Sequence, residues 1–181
     1  MPALRNLRPF VLLLACLILG QPVATLAVPS DLALKAALLF KLPRFTYLPH
    51  LEKRTTLDLC ILGHDPFGNL MHGLSQMPIE GRSIQVHNPA RADDAWHCNL
   101  VFVPNDAGTR STLEETIRAL SRFPVLTVSD IPGFAQANGM VELASLPEGN
   151  GRLRIVINQS AAARQGIKFN AQLLRLATLL P

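Results

Sequence analysis

Short runs of apolar and β-branched residues, each closed by Gly, Pro, Asn or Asp, alternate with stretches of helical spacing through most of this 181-residue chain. That alternation restricts the fold to helices layered on a sheet. Strands are expected at 56–62, stopped by Gly63, at 83–86, at 98–103, ending before Pro104 and Asn105, and at 124–128. Two more, at 139–144 and 152–157, are joined by a Gly-containing segment too short for a parallel crossover, which predicts an antiparallel hairpin. Helical spacing starts behind Ser30 as an N-cap and runs over 31–42, where Pro43 kinks or ends it. Asp65 and Pro66 supply a cap and a first-turn proline for a short helix through 69–74. Glu114 and Glu115 open a helix that closes near Arg122, a brief helical turn surrounds Phe134, and helices are expected over 160–164 and 170–180. The expected architecture is a single-domain α/β sandwich with a mixed, largely parallel sheet of about six strands and flanking helices.

The first 27 residues read as a signal peptide, with Arg5 and Arg8 as a basic start, an apolar stretch over 10–20, and Thr25, Leu26 and Ala27 as a small-residue cleavage site. The apolar stretch is about half the roughly 20 residues that span a bilayer, so it predicts export and not an anchor. Residues 13–16, ending at Cys16, also fit a lipoprotein signal, but the following stretch is apolar where a polar tether is expected. On the first reading the mature chain, 28–181, begins at Val28 and is one domain, long enough to bury about 70% of its unfolded surface. The formal net charge of +4 counts Arg5 and Arg8, so the mature part is close to neutral. Its basic residues are scattered, and one Trp and one Tyr give little to stack on bases, which together exclude a nucleic-acid surface.

Export leaves two of the three cysteines, Cys60 and Cys98, each in or beside a strand run. An oxidising compartment favours one structural disulfide between them, and closing that loop contributes roughly 4 kcal/mol on the chain-entropy model. Reduced thiols acting as small hydrophobes are the alternative. His50, His64, His72, His87 and His97 include no pair at the spacing that places two imidazoles on one helical face, so no metal site is expected. Asp65, Asp106 and Asp130 each follow a strand, where open α/β sheets gather ligands. Aspartates there are also common turn formers and caps. No nucleophile elbow or phosphate-binding glycine loop is present, so no catalytic residue and no cofactor are assigned. Asn138 and Gly139 suit a turn with positive φ, Asn158 suits a helix cap, and Phe40, Phe45, Tyr47 and Leu48 straddle Pro43 as either core or a partner surface.

Several segments resemble, in order, the YfiR family of exported bacterial regulators. Lys35 to Phe40 with Pro49 is similar to its opening helix. Residues 59–68, around Cys60, Gly63 and Asp65, are similar to its first strand and turn. Residues 125–130, then Phe134 and 138–141, are similar to its late strand, and 154–162 followed by 166–177 to its C-terminal signature. The resemblance implies a periplasmic, non-enzymatic protein that binds the sensory part of an inner-membrane diguanylate cyclase and holds it inactive, lowering cyclic di-GMP and biofilm formation. It also implies an outer-membrane lipoprotein that relieves repression, dimeric forms, and a disulfide at cysteines corresponding to Cys60 and Cys98. Pro43 within the first helix, Leu48 in place of a Trp, and the absence of a second cysteine pair depart from the pattern. A periplasmic small-ligand-binding module using the strand ends near Asp65, Asp106 and Asp130 is the alternative from a different functional class.

Overall fold

Alternation of side chains along the strands divides the interior into two apolar layers, one on each face of a single sheet. The structure, a computed structural model, describes residues 30–146 and 152–180. The expected signal peptide and the 147–151 connection lie outside the described residues. A seven-stranded sheet runs in the order β3-β2-β4-β5-β6-β7-β9. Its strands are β2 (Thr56–Ile61), β3 (Ser83–His87), β4 (Leu100–Val103), β5 (Leu126–Ser129), β6 (Val141–Ser145), β7 (Leu153–Asn158) and β9 (Thr178–Leu180). A separate ribbon pairs β1 (Thr46–Tyr47) with β8 (Lys168–Phe169), antiparallel. Every neighbour pair in the main sheet is parallel except β6 with β7.

Leu57, Leu59 and Ile61 of β2, Leu100 and Phe102 of β4, and Leu126 and Val128 of β5 share one layer with Leu39 and Met71. Cys60, Leu62, Val101 and Val103 point the other way and join Ile117 and Leu120. A strand covered on both faces is apolar throughout or carries polar groups that find partners inside. Strand β4 is continuously apolar, whereas in β5 Thr127 and Ser129 alternate with Leu126 and Val128 and are buried with hydrogen bonds to Met140 N and Val103 O. The first layer is covered by α1 (Asp31–Lys41) and α2 (Asn69–Ser75), and the second by α4 (Leu113–Leu120) with the 3-10 turn Ala92–His97.

Local chemistry sets the boundaries. The Ser30 hydroxyl accepts from Ala33 N at 3.1 Å to start α1, and the helix tightens after Lys41 into the 3-10 turn Leu42–Phe45, which contains Pro43. Asn158 ends β7 and starts α5 (Gln159–Arg164), its Oδ1 accepting from Ala161 N at 2.8 Å. Asn170 does the same for α6 (Ala171–Leu176), accepting from Leu173 N at 3.0 Å.

Five elements differ from expectation. The short helix α2 is entered through Gly68 at φ +50°, and Asp65 instead closes a local turn by accepting from Phe67 N at 2.7 Å. Cys98 precedes β4 instead of lying within it. The helix expected behind Glu114 and Glu115 is α4, but a further, unexpected helix, α3 (Ala107–Ser111), precedes it, started by the capping box of Asp106 and Thr109. Residues around Phe134 form consecutive turns and no helix. Finally, the helix expected over 170–180 stops at Leu176, and 178–180 become β9 because the open edge of β7 offers pairing to Thr178, Leu179 and Leu180. This is the seventh strand.

The positive φ in the 138–139 turn falls on Asn138, at +73°, and not on Gly139. Gly139 is required for another reason: a Cβ there would overlap the fully buried Phe134 ring. Gly139→Ala is therefore expected to destabilise the fold by about 1–3 kcal/mol through overpacking. In urea denaturation this reads as a lower midpoint with an unchanged slope.

Candidate functional site

The strand order reverses between β2 and β4, since the chain passes from β2 outward to β3 and then back across β2 to β4. In open α/β sheets that reversal opens a crevice beyond the carboxyl ends of the strands. Here the crevice is about 600 Å³ and is lined by His64 after β2, by Arg91 and Asp93, and by Asp106, Thr109 and Glu115 on and around α3 and α4. Its two aspartates already have partners. Asp106 accepts from Thr109 N at 2.9 Å as the cap of α3, and Asp93 pairs with Arg91 at 3.5 Å and with Arg122. Asp65 is engaged by Phe67 N, so the three aspartates expected at the strand ends do not converge on one reacting centre.

Asp130, at the end of β5, works as a clamp. Its Oδ1 accepts from Asn105 N at 3.0 Å, while its backbone carbonyl accepts from Asn105 Nδ2 at 3.3 Å. Its Oδ2 lies 2.8 Å from Lys35 Nζ, which also meets Asp31 at 2.7 Å. Lys35 is buried on α1, so this pair fastens α1 to the carboxyl ends of β4 and β5. Burial disfavours the ammonium, but the hydrogen bonds to Asp130 and Asp31 and their two negative charges outweigh it, and the Lys35 pKa stands above its ordinary 10.5.

The apolar group around Pro43 is divided by the fold. Leu48 is 3% exposed and belongs to the core, whereas Tyr47 is 49% exposed. Phe40 and Phe45 are half-buried, packed against the first layer. Tyr47 is displayed on β1, which is held by pairing with Lys168 of β8 and by Asn170 N donating to Phe45 O at 2.9 Å. Phe40 also lines a small crevice with Lys41, Arg44 and Ile79.

Cys60 and Cys98 are joined by a disulfide with a Cα separation of 6.0 Å. Around it the fold assembles residues that sequence spacing did not connect. Asp58 of β2 accepts from Arg54 Nη1 at 3.1 Å and is paired with His87 Nε2 of β3 at 2.9 Å. The backbone N of Asp58 donates to Asn99 Oδ1 at 2.9 Å. His87 and His97 make a T-shaped contact, with ring centroids 5.0 Å apart. The ligand atoms of Cys60, His97 and Cys98 lie within 4.8 Å of one another, the one group of this kind among the described residues. With both sulfurs spent in the bridge, only the imidazole is free to coordinate.

Fold and site together define a single-sheet α/β domain whose strand-end carboxylates serve caps, turns and a helix clamp, and whose distinctive surface is an aromatic-bearing ribbon. The family model described as YfiR/HmsC-like matches residues 32–178, and the chain belongs to that family. No curated protein matches the chain. Among solved structures it is similar to a conserved domain protein from Vibrio cholerae, with TM-score 0.59 and 13% identity over 83% of this chain and 60% of that one. It is also similar to an ABC domain in complex with L-Trp from Streptococcus pneumonia, with TM-score 0.55 and 11% identity over 82% of this chain and 60% of that one. The chain thus spans 60% of the length of each of these two structures, and likeness at such low identity concerns the fold alone.

Asp130→Asn should cost about 1–3 kcal/mol, since it leaves a buried ammonium with one solvent-exposed partner. A lysine whose pKa is raised on folding contributes stability that is complete below its unfolded value and lost as pH rises through the folded value. The stability advantage of the wild type over Lys35→Met should therefore hold below pH 10.5 and shrink above it, as followed by thermal melting across alkaline pH.

Proposed function

We propose that the chain is a periplasmic regulator that binds the periplasmic sensory part of a membrane-bound diguanylate cyclase and holds the enzyme inactive, lowering cyclic di-GMP and biofilm formation. The observation that carries this reading is the family match over residues 32–178. The engagement of Asp65, Asp106 and Asp130 in turn, cap and clamp supports a protein that acts by binding and not by catalysis. Among the described residues no helix is long and apolar enough to cross a membrane. Export on a cleaved signal over residues 1–27 accounts for the location.

Such a binder controls a distant active site only through preference for the inactive arrangement of its partner, because equal affinity for both arrangements shifts nothing. Moving the partner from 99:1 active to 1:99 requires about 5.5 kcal/mol of preference. The Phe40, Phe45 and Tyr47 face is the docking surface in this reading, with Leu48 behind it as core. An outer-membrane lipoprotein that captures the regulator, and self-association as a homodimer, are the remaining partners. The 600 Å³ crevice at the β2/β4 reversal favours a second reading, a small-ligand-binding module. Saturable thermal stabilisation by a small molecule would mark it out.

Deleting the protein from its host should raise cyclic di-GMP and surface attachment. The exported form should restore both, and a version lacking residues 1–27 should not. A Tyr47→Asp variant should be exported and folded but repress poorly. An unchanged nucleotide level on deletion, or equal rescue by the unexported form, would overturn periplasmic repression.

A further inference from the structure

His97 closes the 3-10 turn Ala92–His97 and stands over the disulfide, its Nε2 4.0 Å from Cys60 Sγ and 3.9 Å from Cys98 Sγ. A disulfide needs no such neighbour. The imidazole makes T-shaped contacts with His87, at 5.0 Å between centroids, and with Trp96, at 5.4 Å. His87 is fixed in turn by Asp58 at 2.9 Å. The sulfurs themselves are buried among Leu62, Ala95 and Val101, whereas His97 is only half-buried.

A tetrahedral Zn²⁺ with sulfur at about 2.3 Å and nitrogen at about 2.0–2.1 Å separates its ligand atoms by roughly 3.5–3.8 Å. The two nitrogen-to-sulfur distances already lie near that range, so only the sulfur pair has to open. Cys60 is held within β2 and Cys98 in the short connection between the 3-10 turn and β4, so with the bridge broken the sulfurs part by rotation about the Cα–Cβ bonds, without backbone movement. We propose that reduction of the Cys60–Cys98 bridge turns this spot into a site for a thiophilic d¹⁰ cation, Zn²⁺ or Cu⁺, ligated by Cys60 Sγ, Cys98 Sγ and His97 Nε2. The reductant is a dithiol, which gives two electrons and two protons to the bridge and leaves as its own disulfide. Each cysteine then loses its proton as the cation binds. Two thiolates and one imidazole suit a soft or borderline cation and leave a fourth position open to water on Zn²⁺. The bound cation holds the thiolates and slows their return to the disulfide, which couples the redox state of this domain to metal supply.

The test uses the mature chain reduced with a phosphine under anaerobic conditions and titrated with Co²⁺ as a spectroscopic probe. One equivalent should produce a thiolate-to-cobalt charge-transfer band and the visible absorption of a tetrahedral ion, with a simultaneous change in the fluorescence of Trp96, the chain's one Trp. Zn²⁺ and Cu⁺, added in separate arms, should each abolish the cobalt spectrum, and their competition constants distinguish the preferred ion. The oxidised protein should give no such band. His97→Ala should weaken Co²⁺ binding by about tenfold or more, while exposed His72→Ala should leave it unchanged. Circular dichroism separates a folded site from cysteines in an unfolded chain. Absence of the charge-transfer band in the reduced protein, equal affinity in His97→Ala, or binding only with loss of the native dichroism spectrum would each overturn the proposal.

Discussion

Burial of β2, β4 and β5 on both faces is the constraint on which the rest of this structure depends. Strand alternation sends Leu57, Leu59 and Ile61 to one layer and Cys60 and Leu62 to the other, so a shift of one residue in register would exchange the layers. The polar side chains caught in this arrangement are each satisfied. Asp58 is shared by Arg54 and His87, Ser129 Oγ donates to Val103 O at 2.7 Å, and Thr127 Oγ1 accepts from Met140 N at 3.1 Å. Among the described residues no buried side-chain nitrogen or oxygen lacks a partner.

That arrangement also governs what the molecule has left for function. The loops beyond the carboxyl ends of the parallel strands carry aspartates that serve a turn (Asp65), a helix cap (Asp106) and a clamp between elements (Asp130). Asp130 is the clearest case, because one carboxylate holds α1 through Lys35 and the β4 loop through Asn105. A group so engaged is poorly placed to move protons in a reaction. The segments with chemistry to spare lie elsewhere, on the β1/β8 ribbon with exposed Tyr47 and beside the disulfide, where Trp96 is 67% exposed. Both places suit recognition.

The layered α/β class, the parallel core and the β6/β7 hairpin were legible in the sequence because each rests on local pattern: continuous apolar runs, terminating Gly and Pro, and a short connection. The capping box of Asp106 and Thr109 was equally local and could have revealed α3, since a capping residue three positions before a reciprocating side chain is a known start signal. Strand β9 was not legible. Leu173, Leu174, Leu176, Leu179 and Leu180 carry a helical spacing, and only the free edge of β7 decides that the last of them extend. The grouping of Asp58, His87, His97 and the bridge was hidden for the same reason, because register between β2 and β3 and the turn before β4 bring those residues together. The role of Gly139 was hidden too, since it depends on where the Phe134 ring packs.

Under the proposed function this domain acts by preferring one arrangement of a membrane partner. The most direct measurement is the diguanylate cyclase activity of membrane vesicles that carry the host's cyclases, with the mature protein supplied on the periplasmic side. Saturable inhibition there, relieved in the Tyr47→Asp variant, is the predicted result. Cyclase activity that stays constant as the protein is raised well above any plausible dissociation constant would contradict the claim.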